Sequence, residues 1–535
     1  MSRARRIVGQ LRIGTGRSIR CGGLTATLLS TLVCSTAVAE PFSRSSESAV
    51  NYTATPHPAR IRCKDLVAIS NYEHTIISAI EIPAAEDLPA HCRVSAIIPG
   101  EIRFETNLPL NWNGRIYMYG NGGLAGTPAS DPTRQYTRNL ALRHGFATAY
   151  TDTGHDKRVT PGGTFANGNL QRLVDYGFRA VHLTILSTKE LASTFYGRDP
   201  AASYFNGCST GGRQALLSAQ RFPTDFDGIV AGAPAADYSG LKFSQAWRVA
   251  AISESGLSEE EVLVLADHIY SRCDALDGLA DGLISDPRRC DFDVDRDLPH
   301  CEGTDQLACF DDEERAALKR YYAPVTLAGE EVYPAMPVGS EVLGTDYSGN
   351  QRSGWVPWLI NDSGPVLLDL LGSDFFRYMA FVQDRPDFDW IEFDFEEAPD
   401  NLEEFRAIVD AVDPDLSAFR LAGGKLLSYF GWADPDINPL TLLAYRERVL
   451  AQDPDAEDYF GVFMMPGMFH CRGGAGPDRF DAMTAIIEWT EKDLSPEQLT
   501  SWRIEDGRPT AVRPACRYPA EARRTNSGWA CETGE

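Results

Sequence analysis

The sequence predicts an α/β fold: a mostly parallel sheet with helices on both faces, interrupted by one large insertion. Three observations carry that reading. Short apolar runs alternate with helix-patterned stretches over residues 110–235, the alternation stops over 236–411, and it resumes from 412. Strand, helix, strand in that order requires right-handed crossovers, and hence parallel strands. The sheet domain is therefore split into residues 40–235 and 412–535, with 236–411 inserted between its halves. A chain of 535 residues also exceeds the size at which one core keeps growing, in keeping with two domains.

Taken in order, Arg115–Tyr119 reads as a buried strand running into Gly120-Asn121-Gly122-Gly123. Phe146–Tyr150 is a second strand, followed by Thr151-Asp152-Thr153-Gly154-His155, and Arg179–Thr194 has helical spacing with Val181, Ile185 and Leu186 on one side. Ser203–Asn206 and Ile229–Ala231 are further strands, with a helix over Gln214–Gln220 between them. After the insertion come a strand at Lys425–Tyr429, a helix at Leu440–Leu450, a strand at Tyr459–Met464 and a helix at Asp481–Trp489. Open α/β sheets bind ligands at the carboxyl ends of their strands, so the insertion is placed to act as a lid.

Residues 1–39 hold six arginines, no acid, and an apolar run over Leu24–Val38 that ends in Ala37-Val38-Ala39. This is the pattern of a secretory signal, too short and too polar for a membrane anchor, and it predicts a secreted or periplasmic protein. Arg5-Arg6 leaves the export route, general or twin-arginine, open. The net charge is −25, and losing the basic leader makes it more acidic still. Such a surface argues against nucleic acid or an anionic membrane as a partner.

Ten cysteines follow the leader, an even count that in an exported chain points to disulfides. Proximity in sequence pairs Cys63 with Cys92, Cys273 with Cys290, Cys301 with Cys309 and Cys516 with Cys531; elimination leaves Cys208 with Cys471. Sequence alone does not determine connectivity. The last pair matters because each cysteine adjoins a reactive residue, Ser209 and His470. Bonded half-cystines hold their Cα atoms within roughly 4.4–6.8 Å, which would bring a serine to its base.

Gly207-Cys208-Ser209-Thr210-Gly211 fits G-x-S-x-G, the sharp strand-to-helix turn that exposes a nucleophilic serine. Its alternative is an ordinary serine in a glycine-rich turn. The turn would aim the Thr210 N–H at a developing oxyanion, and the Gly120–Gly123 loop supplies a second donor, Gly123 ahead of Gly122. His470 follows the last strand and stands downstream of the serine, as the order Ser, acid, His requires. His155 precedes the serine and reads as a pocket wall. Asp434, after the strand Lys425–Tyr429, is the favoured acid, with Asp436 as the alternative.

A second cluster lies in the insertion. Asp274, Asp277 and Asp281, spaced by glycines, suit a hard cation bound through oxygen, or equally an acidic surface turn.

These motifs, with Asp175-Tyr176-Gly177, Phe226–Pro234, Gly431–Pro435 (GWADP), Arg513–Cys516 and Tyr518-Pro519, resemble those of the tannase and feruloyl esterase family from about Cys63 to Cys531. The resemblance implies an α/β-hydrolase with an inserted lid, a Ser209, Asp434 and His470 triad, and Cys208–Cys471 as a clamp. It also implies a structural Ca²⁺ in the lid, held by the Asp274, Asp277 and Asp281 carboxylates and the Leu279 and Leu283 carbonyls. The implied substrate is a small aromatic ester, galloyl or hydroxycinnamoyl, free or attached to plant polysaccharide or polyphenol. Trp355–Trp358 and Phe375–Met379 offer aromatic surface, although most of it reads as lid core, and Arg377 could meet a substrate carboxylate. Two rivals remain: a hydrolase of another aromatic monoester such as mono(2-hydroxyethyl) terephthalate, and a non-catalytic calcium-dependent glycan- or polyphenol-binding protein.

Overall fold

Nine strands form one sheet in the computed structural model, which describes residues 41–53, 56–301, 309–346, 348–361, 364–505 and 508–533. The leader assigned to residues 1–39 lies outside them. The strands are β1 (Thr75–Ile82), β2 (His91–Ile98), β3 (Ile102–Pro109), β4 (Arg115–Tyr119), β5 (Ala147–Thr151), β6 (Ala202–Cys208), β7 (Gly228–Gly232), β8 (Lys425–Gly431) and β9 (Phe460–Met465). Their spatial order is β9-β8-β7-β6-β4-β5-β3-β2-β1. The six strands from β9 to β5 are mutually parallel, and β3, β2 and β1 continue the sheet antiparallel.

The parallel part is where alternation was legible, and its strands are apolar throughout because both faces are covered. Every residue of β5, β7 and β9 is buried. The antiparallel extension precedes that region. The exposed Ile77 and Ile80 on edge strand β1 blur any inward and outward alternation there. Helix α1 (Pro132–Arg143) starts at Asp131, whose carboxylate accepts from the Thr133 N–H, with Pro132 pre-set for the first turn. Helix α2 (Ala180–Tyr196) ends at Gly197 in the left-handed region (φ 68°), which glycine adopts without penalty. Helix α3 (Thr210–Arg221) begins directly after β6.

The insertion carries α4 (Tyr238–Ile252), α5 (Glu259–Cys273), α6 (Asp312–Tyr321), α7 (Leu367–Tyr378), α8 (Leu402–Val409) and two short β-hairpins. Its two ends meet: the Ala411 N–H donates to the Ala236 carbonyl at 2.8 Å. Trp355, Phe375 and Phe376 are fully buried in its core. After it, α9 (Leu440–Gln452) and α10 (Ala482–Lys492) flank β8 and β9. Residues 498–533 form two further antiparallel hairpins beside β9, an addition to the α/β pattern that sequence alternation did not indicate.

Five disulfides join Cys63–Cys92, Cys208–Cys471, Cys273–Cys290, Cys301–Cys309 and Cys516–Cys531. Among the described residues no helix is long and apolar enough to cross a membrane.

Candidate active site

Ser209 sits between β6 and α3 at φ 65°, ψ −124°, a conformation that costs a non-glycine residue roughly 1–3 kcal/mol. Its backbone is over-determined: the Ser209 N–H donates to the Gly232 carbonyl, and its carbonyl accepts from Arg213 and Ala235. The flanking glycines are steric requirements. A Cβ on Gly207 would stand 2.5 Å from the Gly211 carbonyl oxygen, and one on Gly120 would stand 2.7 Å from the Gly211 Cα. The elbow and the Gly120–Gly123 loop are thus in backbone contact. Ser209 is half-buried.

The acid and the histidine come from the carboxyl ends of β8 and β9. Backbone bonds zip the two turns together, from Trp432 N–H to Met465 O and from Ala433 N–H to Met468 O. His470 Nδ1 lies 2.7 Å from Asp434 Oδ2, and the other Asp434 oxygen accepts the Asp436 and Ile437 N–H groups. Asp436 is engaged elsewhere: its Oδ1 accepts from Gln245 Nε2, and its carbonyl from Arg248 on α4. Both His470 and Asp434 are buried. Burial works to lower the His470 pKa, but the charge and hydrogen bond of Asp434, with Asp436 behind it, outweigh burial and raise it. Cys471 bonds to Cys208 with a Cα–Cα distance of 6.1 Å, so the histidine loop is stapled to the elbow.

The Gly120–Gly123 loop is rigidly held. The Asn121 N–H donates to Gln214 Oε1, Gln214 Nε2 returns a bond to Asn121 Oδ1, and Asn121 Nδ2 reaches Tyr150 and the Thr151 carbonyl. Gly123 has φ 54°, and its carbonyl accepts from the Thr210 and Tyr176 hydroxyls. Among the described residues neither the Thr210 nor the Gly123 N–H has an acceptor, so both are available to a ligand. His155 is not part of this set. It stacks on Phe165, bonds the Leu124 carbonyl, and burial depresses its pKa to about 4, so it buttresses the loop from behind. The amide clamp of Asn121 and Gln214 and the tyrosine at 176 carried no readable sequence signal beyond their place in motifs.

The insertion reaches the same place. Trp358 meets the His470 ring edge-on at 5.2 Å, and Leu371 of α7 lies where a Cβ on Gly123 would be 3.5 Å away. The buried Lys242 donates to the Leu371 carbonyl and to Gln245, tying α7 to α4 and the acid turn. Arg377 lies beside Asp374 and the Phe388 carbonyl, half-exposed.

The acidic loop of the insertion packs, through Leu283, near Gly467 in the turn ahead of His470. Asp274 accepts the N–H groups of Asp281, Gly282 and Leu283, while Asp277 and Asp281 face the Arg513 guanidinium. Among the described residues no three carboxylates converge as a formed metal cluster. The donor set, three carboxylates with the Leu279 and Leu283 carbonyls, is all oxygen and suits a hard cation in its chemistry. Two Arg513 guanidinium nitrogens are buried without a hydrogen-bond partner, so the pairing with these carboxylates is incomplete.

A strand-to-helix elbow, a histidine bonded to a strand-end acid and two free amides, on a mostly parallel sheet, define an α/β-hydrolase. The family model described as "Tannase and feruloyl esterase" matches residues 90–533. The mono(2-hydroxyethyl) terephthalate hydrolase of Piscinibacter sakaiensis is 33% identical over 83% of this chain and 84% of its own. Feruloyl esterase B of Aspergillus niger is 30% identical over 86% of this chain and 90% of its own. The crystal structure of feruloyl esterase B from Aspergillus oryzae superposes with a TM-score of 0.74 at 25% identity, over 88% of this chain and all of that one. The chain belongs to the tannase and feruloyl esterase family and is a carboxylic ester hydrolase.

Proposed function

We propose that the protein is a secreted serine esterase that hydrolyses esters of aromatic acids through an acyl-enzyme. His470 Nδ1 is taken up by Asp434, which leaves Nε2 to accept the Ser209 proton as Oγ attacks the ester carbonyl. The Thr210 and Gly123 amides receive the oxyanion. His470 then gives the proton to the departing alcohol, and water, deprotonated by the same imidazole, releases the acid and restores the serine. The observation that carries this reading is the 2.7 Å His470–Asp434 bond on a loop disulfide-bonded to the residue before Ser209. Trp358 beside His470 and Leu371 beside Gly123 support an aromatic acyl group, because they place apolar side chains next to the histidine and the Gly120–Gly123 loop.

A fluorophosphonate probe should label the wild type and not Ser209→Ala. Labelling of neither would favour the binding-protein alternative. Turnover of methyl ferulate, methyl gallate, chlorogenate and mono(2-hydroxyethyl) terephthalate then separates a feruloyl or galloyl esterase from a terephthalate monoester hydrolase, the activity named for the relative from Piscinibacter sakaiensis.

Residues 236–411 serve as the lid in this reading. Within them Asp274, Asp277 and Asp281, with the Leu279 and Leu283 carbonyls, would hold a structural Ca²⁺ that neutralises the carboxylates and leaves the chemistry untouched. Removing divalent ions should lower the thermal midpoint, Ca²⁺ should restore it, and Asp277→Asn should abolish that response. A midpoint indifferent to chelation would remove the calcium from this account. Five disulfides support an oxidising destination, periplasmic or extracellular.

A further inference from the structure

We infer that Tyr176 is a positioning residue for the oxyanion loop, the middle member of a hydroxyl relay that runs from the root of the insertion to the Gly123 peptide. The inference rests on the esterase reading above. Tyr176 Oη stands 3.1 Å from the Gly123 carbonyl oxygen and 2.8 Å from Tyr238 Oη. A phenol has one proton to give. With that proton on the Gly123 carbonyl, Tyr238 must donate to Tyr176, and burial keeps the Tyr238 phenol protonated. Thr210 Oγ1 donates to the same carbonyl, so both lone pairs of the Gly123 oxygen are taken.

The arrangement matters because of where it acts. Gly122 and Gly123 have no side chains to restrict their peptide planes, and Gly123 already sits at positive φ. The Gly123 N–H shares its peptide plane with the Gly122 carbonyl, so a flip of that plane would present an oxygen where the reaction needs a donor, and a tilt of the next plane would displace the Gly123 Cα that carries it. That plane is held by the Ala125 N–H on the Gly122 carbonyl, and the adjoining plane, which carries the Gly123 carbonyl and fixes the Gly123 Cα from its other side, is held among the described residues only by the two hydroxyls. Tyr176 is itself set in place. It lies in a wide π-helical turn, Asp175–Arg179, ahead of α2, a local expansion of the kind that re-aims side chains. The buried Arg213 guanidinium is wedged between the Tyr176 and Tyr238 rings, 4.7 and 5.0 Å from their centroids, and donates to the Tyr176, Gly177 and Val409 carbonyls. Tyr238 opens α4, and Val409 closes α8, so the relay starts where the insertion joins the sheet domain.

The competing account is that two buried phenols have simply found each other. Tyr176→Phe keeps the ring and removes the relay. The measurements are kcat and KM on the best ester of the panel, the affinity of phenylboronic acid, which forms a tetrahedral adduct on the serine, the affinity of the product acid, and the thermal midpoint. The expected result is a kcat roughly 10–100-fold lower with a parallel loss of boronate affinity, the order seen when an outer-shell partner is removed. KM, product affinity and midpoint should stay near wild type, and Tyr238→Phe should shift kcat in the same direction by less. A folded Tyr176→Phe enzyme with wild-type kcat and boronate affinity overturns the inference, as does an equal loss of boronate and product affinity. Should Tyr176→Phe not fold, the Tyr238→Phe constants decide by the same criteria. Failure of the probe to label Ser209 in the wild type overturns the esterase reading itself, and this inference with it.

Discussion

At His470 burial and charge oppose each other, and the outcome sets the pH range in which the site can work. In the proposed mechanism the imidazole must be neutral to accept the Ser209 proton. Because its pKa is raised above 6.5 by Asp434, the acid limb of kcat/KM should have its midpoint above that value. The same shift ties stability to pH: the ion pair contributes fully below about 6.5, and its contribution is lost as pH rises through the native pKa. Asp434→Asn removes the charge and the correct tautomer together. Its kcat should fall by about 10⁴, and the limb should move to lower pH. A variant whose limb stays in place would show that Asp434 does not govern this histidine. Asp436 was a fair alternative in sequence, two residues along the same turn; what separates them is that Asp436 is committed to Gln245 and Arg248.

Between elements, the staple from Cys208 to Cys471 connects the β6–α3 elbow to the loop after β9 across 263 residues. In the chain-entropy model a loop of that length stabilises by up to about 5.6 kcal/mol, an upper figure because unfolded chains retain structure. If stability were its whole purpose, Cys208→Ala/Cys471→Ala would lower the midpoint and leave the kcat of the remaining folded enzyme unchanged. The expected outcome is a kcat loss, measured well below the new midpoint, of at least about tenfold, since an error of about 1 Å in a reacting geometry can cost about 10². The central strands and their helices were legible because a sheet covered on both faces makes each strand a short apolar run and each helix a periodic one. β1–β3 and the hairpins of residues 498–533 were not. Edge and antiparallel strands with one wet face carry mixed patterns, such as the exposed Ile77 and Ile80.

For the molecule as a whole, the root of the insertion holds a buried pair of carboxyls. Asp237 and Asp410, at the two ends of the inserted segment, share the Ser239 hydroxyl, and Ser239 N–H also donates to Asp410. Burial, with Asp237 next, pushes Asp410 up to about 7, while Arg406 on α8 and Arg448 on α9 act to keep the pair ionised. Unfolded, such a carboxyl releases its proton near 3.8. The native state therefore holds more protons between about pH 4 and 7, and this pair makes stability fall as pH rises across that window. Asp410→Asn should flatten the dependence and raise the midpoint by a few degrees at pH 8, with little change at pH 4. A midpoint gain equal at both pH values would assign the effect to packing instead.

By itself the sequence determined the α/β class, and it pointed to the split by an insertion, to a serine, acid and histidine in their order, and to the cysteines beside two of them. Each of these is written in local terms, as periodicity, turn chemistry or immediate adjacency. Only the tertiary structure decided that Asp434 and not Asp436 meets the imidazole, that His155 stands behind the Gly120–Gly123 loop, and that Tyr176, Arg213 and Tyr238 link that loop to the insertion. Those outcomes depend on which groups share a buried volume and on each buried donor finding an acceptor. Contacts between residues distant along the chain settle both, and no local pattern records them.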